Sequence, residues 1–352
     1  MLALSSKMNM TQRTYASPPA NPLRISVAMC TYNGSRYLAE QLRSLASQQR
    51  LPDELVLCDD GSLDETVSLA EEFAREAPFV TRVIRNPQNL GYSQNFAKAI
   101  ELCSGDVIAL ADQDDIWYPQ KLERLADLFL TYPAMGGVFS NGNLIDGNSE
   151  LLAGDLWGSF GFRPADQVRL RSGEALEVLL QRNVVTGMAF AFRRCWRDKL
   201  RIMPASWPHD AWLGLMLANE NKLLACSEPL VAYRVHENQK IGVPITTLEK
   251  RRYIQMHGIQ AYLQLSRDRN VEEYRKYAEH FEDLLAAFTE NASGTEQKLL
   301  VLARAKACHA RNGERLLAMH RFRRWPEVLK RRESYKRYSP TGAAAMIRDL
   351  FL

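Results

Sequence analysis

The chain is 352 residues long, 46% hydrophobic and 24% charged, with 45 Lys and Arg against 41 Asp and Glu. These proportions exclude wholesale disorder and leave room for one large α/β domain plus an appendage. The net charge of +4 is too small to argue for nucleic acid as a partner.

Six cysteines (Cys30, Cys58, Cys103, Cys195, Cys226, Cys308) are scattered without a C-x-x-C pair. That pattern fits buried free thiols in a reducing compartment better than a disulfide framework or a zinc site. Residues 1–24 are rich in Ser, Thr, Asn and Pro, lack the apolar core of a secretory signal, and read as a disordered leader. No stretch reaches the roughly 18 consecutive apolar residues of a membrane span. The expectation is a cytoplasmic protein, free to lie on a membrane surface.

In chain order, the apolar run Leu23 to Cys30 predicts a buried first strand ending in the polar turn Thr31-Tyr-Asn-Gly34. Leucines 38, 42 and 45 give Tyr37 to Ser47 a helical spacing. Pro52-Asp53 breaks the chain before a second strand, Glu54 to Cys58. Its exit loop, Asp59-Asp-Gly-Ser62, offers Ser62 or Asp64 as a helix cap. Thr81 to Arg85 is a third strand and Ser93 to Leu102 a third helix. Gly105 to Ala111 is a fourth strand that runs straight into Asp112-Gln-Asp-Asp115, with a helix over Pro119 to Thr131 behind it.

Beyond Gly136, Gly137 to Asn141 and Val184 to Arg193 read as strands, Leu144 to Arg163 as loop, and the chain from Leu248 onward as helical. The fold class is therefore α/β, a mostly parallel central sheet flanked by helices, with a C-terminal helical appendage. In such sheets ligands bind beyond the carboxyl ends of the strands. Three polar motifs, Thr31–Gly34, Asp59–Ser62 and Asp112–Asp115, end strands here.

A run of carboxylates at the end of an apolar strand is costly unless compensated, because Asp112, Asp114 and Asp115 repel one another and resist ionisation. A divalent cation removes that cost and bridges to a diphosphate. A loop that caps the next helix is the alternative reading. No G-K-[ST] phosphate loop and no G-x-G-x-x-G is present.

Four motifs in order carry a resemblance to glycosyltransferase family 2: Val27-Ala-Met-Cys-Thr-Tyr-Asn-Gly34, Asp59-Asp-Gly-Ser-Leu-Asp-Glu-Thr66, Asn89-Leu-Gly-Tyr-Ser-Gln-Asn95 and Asp112–Asp115. The resemblance spans roughly Ile25 to Asn238. It implies an A-type glycosyltransferase fold at 25–240, with a donor-binding half at 25–118 and an acceptor half at 119–240, before a helical region at 241–352. It also implies a nucleotide-sugar donor and Mg²⁺ or Mn²⁺ as cofactor. Thr31 and Asn33 would then line the nucleoside pocket, and Asp59 would hydrogen-bond the base. Asn95 would contact the base or cap its own loop, Asp112 would approach ribose and metal, and Asp114 would ligate the metal. In Tyr233-Arg-Val-His236, His236 would reach the metal or diphosphate, and Arg234 would face the phosphates or sit on a solvated edge.

A sugar hydroxyl is a poor nucleophile, so an inverting transferase needs a carboxylate base opposite the leaving diphosphate. In Trp207-Pro-His-Asp-Ala-Trp-Leu213, Asp210 falls where the family places that base. It could equally cap the helix Ala211 to Leu217.

His209-Asp210 before Trp212, with Gln113-Asp-Asp-Ile-Trp117, resembles the rhamnosyltransferase branch, although Ala211 replaces the first tryptophan of its usual H-D-W-W. The donor implied is dTDP-rhamnose, with another dTDP- or UDP-sugar as the fallback. The acceptor implied is a lipid-linked or cell-surface glycan in polysaccharide or O-antigen assembly. Competing classes are a sugar-1-phosphate nucleotidyltransferase, whose Gly-rich, Arg-containing loop is missing here, and a non-catalytic nucleotide-sugar binding module, which would need no Asp210. Arg321 to Leu352 holds nine basic residues against three acidic, with Trp325, Leu329, Tyr335 and Tyr338 interleaved. An anionic membrane surface, a solvated helix face and a nucleic-acid patch are the three readings of that tail.

Overall fold

The computed structural model describes residues 23–236, 247–288 and 294–352, so nearly all of the expected leader lies outside the described residues. The chain opens β1 (Ile25–Thr31), α1 (Ser35–Ala46), β2 (Glu54–Asp59), α2 (Thr66–Glu76), β3 (Val80–Arg85), α3 (Tyr92–Leu102), β4 (Val107–Ala111). Residues of β1, β2 and β4 are buried throughout, as continuous apolar runs in a sheet covered on both faces must be. The edge strand β3 instead alternates between exposed and partly buried positions.

Next come β5 (Ile116–Trp117), α4 (Lys121–Thr131), β6 (Gly137–Ile145), β7 (Leu151–Asp155) and the short helices α5 (Leu156–Ser159), α6 (Pro164–Arg169) and α7 (Ala175–Gln181). A 3₁₀ turn at Gly187–Ala189 precedes β8 (Phe190–Arg193), followed by α8 (His209–Asn219) and β9 (Leu223–Arg234). The sheet runs β3-β2-β1-β4-β8-β6-β9-β5, with β7 paired to β6. It is parallel from β3 to β4 and mixed beyond. Alternate residues of β1 and β2 feed two cores: Ala28, Cys30, Val56 and Cys58 pack toward α3, α7 and α8, and Val27, Met29, Leu55 and Leu57 toward α1 and α4.

Three sequence expectations are revised. The segment 144–163 is not one loop, because β6 continues to Ile145 and folds back on β7. The run 184–193 is not one strand, because the 3₁₀ turn intervenes before β8. The helix after Pro208 begins at His209, so Asp210 lies in its first turn rather than at its cap.

The C-terminal region is helical: α9 (Thr247–Ala287), α10 (Gly294–Ala318), α11 (Arg321–Lys330), α12 (Arg332–Tyr338) and α13 (Ala343–Phe351). Phe281, Leu284, Leu299 and Leu302 join the core that contains α7 and α8. Trp207 Nε1 donates to the His280 carbonyl at 2.7 Å, so this region is seated on the approach to Asp210.

Candidate active site

The parallel register sets Thr31 beside Asp59, and Thr31 Oγ1 donates to the Asp59 carboxylate at 2.9 Å. The two exit loops then interlace. Asn33, in the left-handed region at φ 48°, donates its main-chain N–H to Ser62 Oγ at 2.9 Å, and its Oδ1 accepts from Leu63 N–H at 2.9 Å. Gly34 N–H donates to Thr66 Oγ1 at 2.8 Å. Gln113 clamps the third loop to the first, accepting from Tyr32 N–H at 2.8 Å and donating to Tyr32 O at 3.2 Å. A Cβ at Gly34 would displace that Gln113 side chain and so break the clamp.

Asp59 and Asp60 divide the work of loop construction. Asp59 is buried and accepts from the Gly61 and Ser62 amides at 3.1 and 2.9 Å as well as from Thr31, so its carboxylate is turned into its own loop. Asp60 accepts from Asn86 Nδ2 and from the Leu90 and Gly91 amides, holding the 86–91 loop. Asn95 is buried, donates to the Cys58 carbonyl at 2.9 Å and accepts from Asn86 Nδ2 at 2.9 Å. These bonds tie α3 to the end of β2 and to Asn86, rather than capping the residue's own loop.

The acidic cluster meets the end of β9. The two-residue strand β5 pairs antiparallel with β9 (Ile116 with Ala232), which returns Arg234 and His236 to Asp114 and Asp115 across some 120 residues of chain. His236 Nε2 lies 2.9 Å from Asp114 Oδ2.

Arg234 requires a correction. It is not on a solvated edge but buried inside the protein. Its Nε donates to the Asp114 carbonyl at 2.7 Å, Nη1 to the Asp146 carbonyl and Ser149 Oγ, and Nη2 to Glu40 at 2.6 Å. Its guanidinium sits 4.5 Å from the Tyr37 ring centroid, and its main-chain N–H donates to Asp115 at 2.9 Å. A guanidinium desolvated and committed to these acceptors is a brace for the acidic loop.

Asp210 reaches the same place through the 3₁₀ turn. The Gly187 amide bonds to Asp210 and the Met188 amide to Asp112. A methyl group built on Gly187 would lie 3.7 Å from Asp210 Oδ2, 3.8 Å from Asp112 Oδ2 and 3.6 Å from His209 Nε2. Burial pushes Asp210 up to about 6. Burial first, then the Asp114 and Asp210 charges, pushes Asp112 up to about 7. Asp115 is raised by burial and by Asp114 and Asp112, and its Oδ2 has no hydrogen-bond partner.

A second basic group lies against the cluster: Lys121, fully buried, lies 3.4 Å from the Trp117 ring centroid and donates to the Met188 carbonyl at 2.5 Å, and burial holds it well below the usual lysine range against the pull of Asp115 and Asp112. His209 is buried and stacked on Phe96 at 4.0 Å, and burial lowers it to about 3, so it is neutral. Lys121, Gly187 and Tyr37 were missed in the sequence because nothing in their spacing announces a tertiary role. Gly187, a small residue inside an apolar run, was the one available signal.

This donor set suits a hard divalent cation. Asp114 and His236 offer an oxygen and a nitrogen side by side, and Asp112 carries a charge that a cation would relieve. No three His, Cys, Asp or Glu converge on one ligating point among the described residues, so water and substrate oxygens would complete the shell.

Residues 26–172 match Glycosyl transferase family 2. An uncharacterized glycosyltransferase of Nostoc sp. is 28% identical over 61% of this chain and 65% of its own length. The dTDP-rhamnosyl transferase RfbG of Shigella flexneri is 32% identical over 34% of this chain and 40% of its own. Among solved structures, TarS 1–349 of S. aureus, crystallised with UDP-GlcNAc, is 19% identical with a TM-score of 0.50, over 82% of this chain and 81% of that one. The chain has the A-type glycosyltransferase fold, and its match to glycosyl transferase family 2 covers residues 26–172. It thus spans about two thirds of the first of these relatives and less than half of the second.

Proposed function

We propose that this protein is a glycosyltransferase that moves a sugar from a nucleotide-sugar donor to an acceptor hydroxyl by inverting displacement. The observation that carries this reading is the convergence at Gly187. There the expected base of the acceptor half, Asp210, and the first carboxylate of the donor half, Asp112, flank one turn and are held by adjacent amides.

In this reading the loops at Thr31, Asn33 and Asp59 enclose the nucleoside, and Asp114 and His236 would hold Mg²⁺ or Mn²⁺, with the charge of Asp112 beside them. When bound, the cation neutralises the charge that develops on the leaving diphosphate. Asp210 accepts the acceptor hydroxyl's proton as the new glycosidic bond forms. A base raised to about 6 is ionised at neutral pH yet basic enough for the task. Neutral His209 beside it adds no charge that would depress that basicity. Arg234 and Lys121 hold the carboxylate loop in shape.

The donor assigned is dTDP-rhamnose, supported by His209-Asp210 ahead of Trp212 and by the likeness to a protein named as a dTDP-rhamnosyl transferase. The acceptor assigned is a lipid-linked or cell-surface glycan in polysaccharide or O-antigen assembly, reached from the inner face of the membrane. Incubation with a panel of nucleotide sugars and Mg²⁺ or Mn²⁺ tests the assignment. Release of dTDP from dTDP-rhamnose is expected. Turnover of UDP-hexoses alone would remove the rhamnose assignment, and turnover of none would remove the transferase.

A further inference from the structure

The tail's four interleaved aromatic and aliphatic residues separate in the fold. Tyr335 and Tyr338 are buried, whereas Trp325 and Leu329 are 45% and 54% exposed. With Phe322 they form one stripe of α11, at spacings of three and four. Arg324 and Val328 occupy the opposite, buried stripe. On α13, Ile347 and Phe351 are also exposed, at 53% and 65%, four residues apart. The Trp325 and Phe351 rings meet edge to face at 5.8 Å, which joins the two helices into one apolar face.

Exposed large apolar side chains are unremarkable singly, but five in one contiguous face mark an interaction surface. Its rim is cationic. Arg323 and Arg332 are exposed with no ion pair among the described residues, and Lys330 and Lys336 are half-neutralised by Glu327 and Glu333 at the surface. Such surface pairs are worth little and leave the local field positive.

We propose that this α11–α13 face docks on a membrane surface rich in anionic phospholipid. The apolar stripe, led by Trp325, enters the headgroup boundary while Arg323 and Arg332 meet lipid phosphates. An aromatic with one polar edge suits that boundary. A second copy of the chain is the poorer occupant, since a two-fold contact would set the same arginines against each other.

The face is fixed relative to the candidate active site. Gln181 at the end of α7 donates to the Lys336 and Arg337 carbonyls at 3.2 and 3.0 Å, and Ser206 and Trp207, just before Asp210, bond to Asp283 and His280 of α9. Docking would therefore set the angle at which the acceptor cleft meets the bilayer. The docking claim depends on the proposed membrane-linked acceptor for its purpose only, and vesicle binding is read without donor or acceptor.

The test is co-sedimentation of the full chain with phosphatidylglycerol/phosphatidylcholine vesicles and with phosphatidylcholine vesicles alone. It is run on the wild type, Trp325→Ser/Phe351→Ser and Arg323→Glu/Arg332→Glu. The wild type should bind the anionic vesicles at least tenfold better than neutral ones, and less well as salt rises. Both variants should lose at least tenfold of that binding while keeping the wild-type thermal melt. Equal binding by all three proteins, or no preference for anionic lipid, overturns the proposal. So does a concentration-dependent dimer that Trp325→Ser/Phe351→Ser abolishes, because that assigns the face to self-association.

Discussion

Arg234 and Asp115 are joined main chain to side chain, the Arg234 N–H donating to the Asp115 carboxylate at 2.9 Å while the Arg234 side chain donates to the Asp114 carbonyl at 2.7 Å. One residue thus grips two consecutive members of the acidic cluster, and Glu40 and Ser149 also accept from it. Replacing Arg234 by Met keeps the main-chain bond but leaves buried carbonyls unpaired. The expected loss is about 2–4 kcal/mol of folding stability, read as a shift in urea midpoint. Wild-type stability in that variant would show the brace to be dispensable.

Asp210 links pH to both stability and turnover. Its folded pKa of about 6 lies above the ordinary value of 3.8, so the folded state binds its proton more tightly than the unfolded state. Stability from this group is present below pH 4 and is lost as pH rises through 6. Asp210→Asn removes that loss, and without metal should be more stable than the wild type by on the order of 1–3 kcal/mol at pH 8, the gap closing toward pH 4. Wild-type transfer should rise with pH through about 6 as the base ionises. A variant no more stable at pH 8 would mean the carboxylate is better solvated than its surroundings imply.

Gly187 is spared a side chain where three groups converge. The methyl of Gly187→Ala makes ordinary contacts with Asp210, Asp112 and His209, at 3.6–3.8 Å, so the fold should tolerate it. Because the methyl occupies the space between the two carboxylates, transfer should fall at least tenfold while the melting temperature stays within a few degrees. Wild-type kinetics would place the reacting atoms elsewhere.

His236 and Asp114 make a separable prediction about metal. His236→Ala and Asp114→Asn should each weaken Mn²⁺-dependent binding of a nucleoside diphosphate by ten- to a hundredfold, measured by titration calorimetry, and leave metal-free folding intact. Unchanged metal-dependent affinity in both would assign the cation to other residues.

Much of the chain from β1 to β4 was legible in the sequence. Continuous apolar runs ending in polar turns located β1, β2 and β4, and the side-by-side ends of parallel strands brought Thr31 to Asp59. Polar residues drawn into scaffolding were not legible. Asn95 and Arg234 have side chains suited to a ligand, and only the fold shows those groups bonded to carbonyls and side chains of the protein. The return of β9 to the acidic loop depends on β5, a strand of two residues that carries no periodicity. Tyr335 and Tyr338 read as part of a surface stripe because three short helices, rather than one long one, form the tail.

The central claim is that Asp210 serves catalysis on a nucleotide sugar held by the donor half. The most direct measurement compares wild type and Asp210→Asn for donor affinity and for turnover with dTDP-rhamnose and a divalent cation. Donor affinity within about twofold, with turnover reduced 10²–10⁴-fold, is the predicted result. Turnover equal to wild type at unchanged affinity would contradict the account.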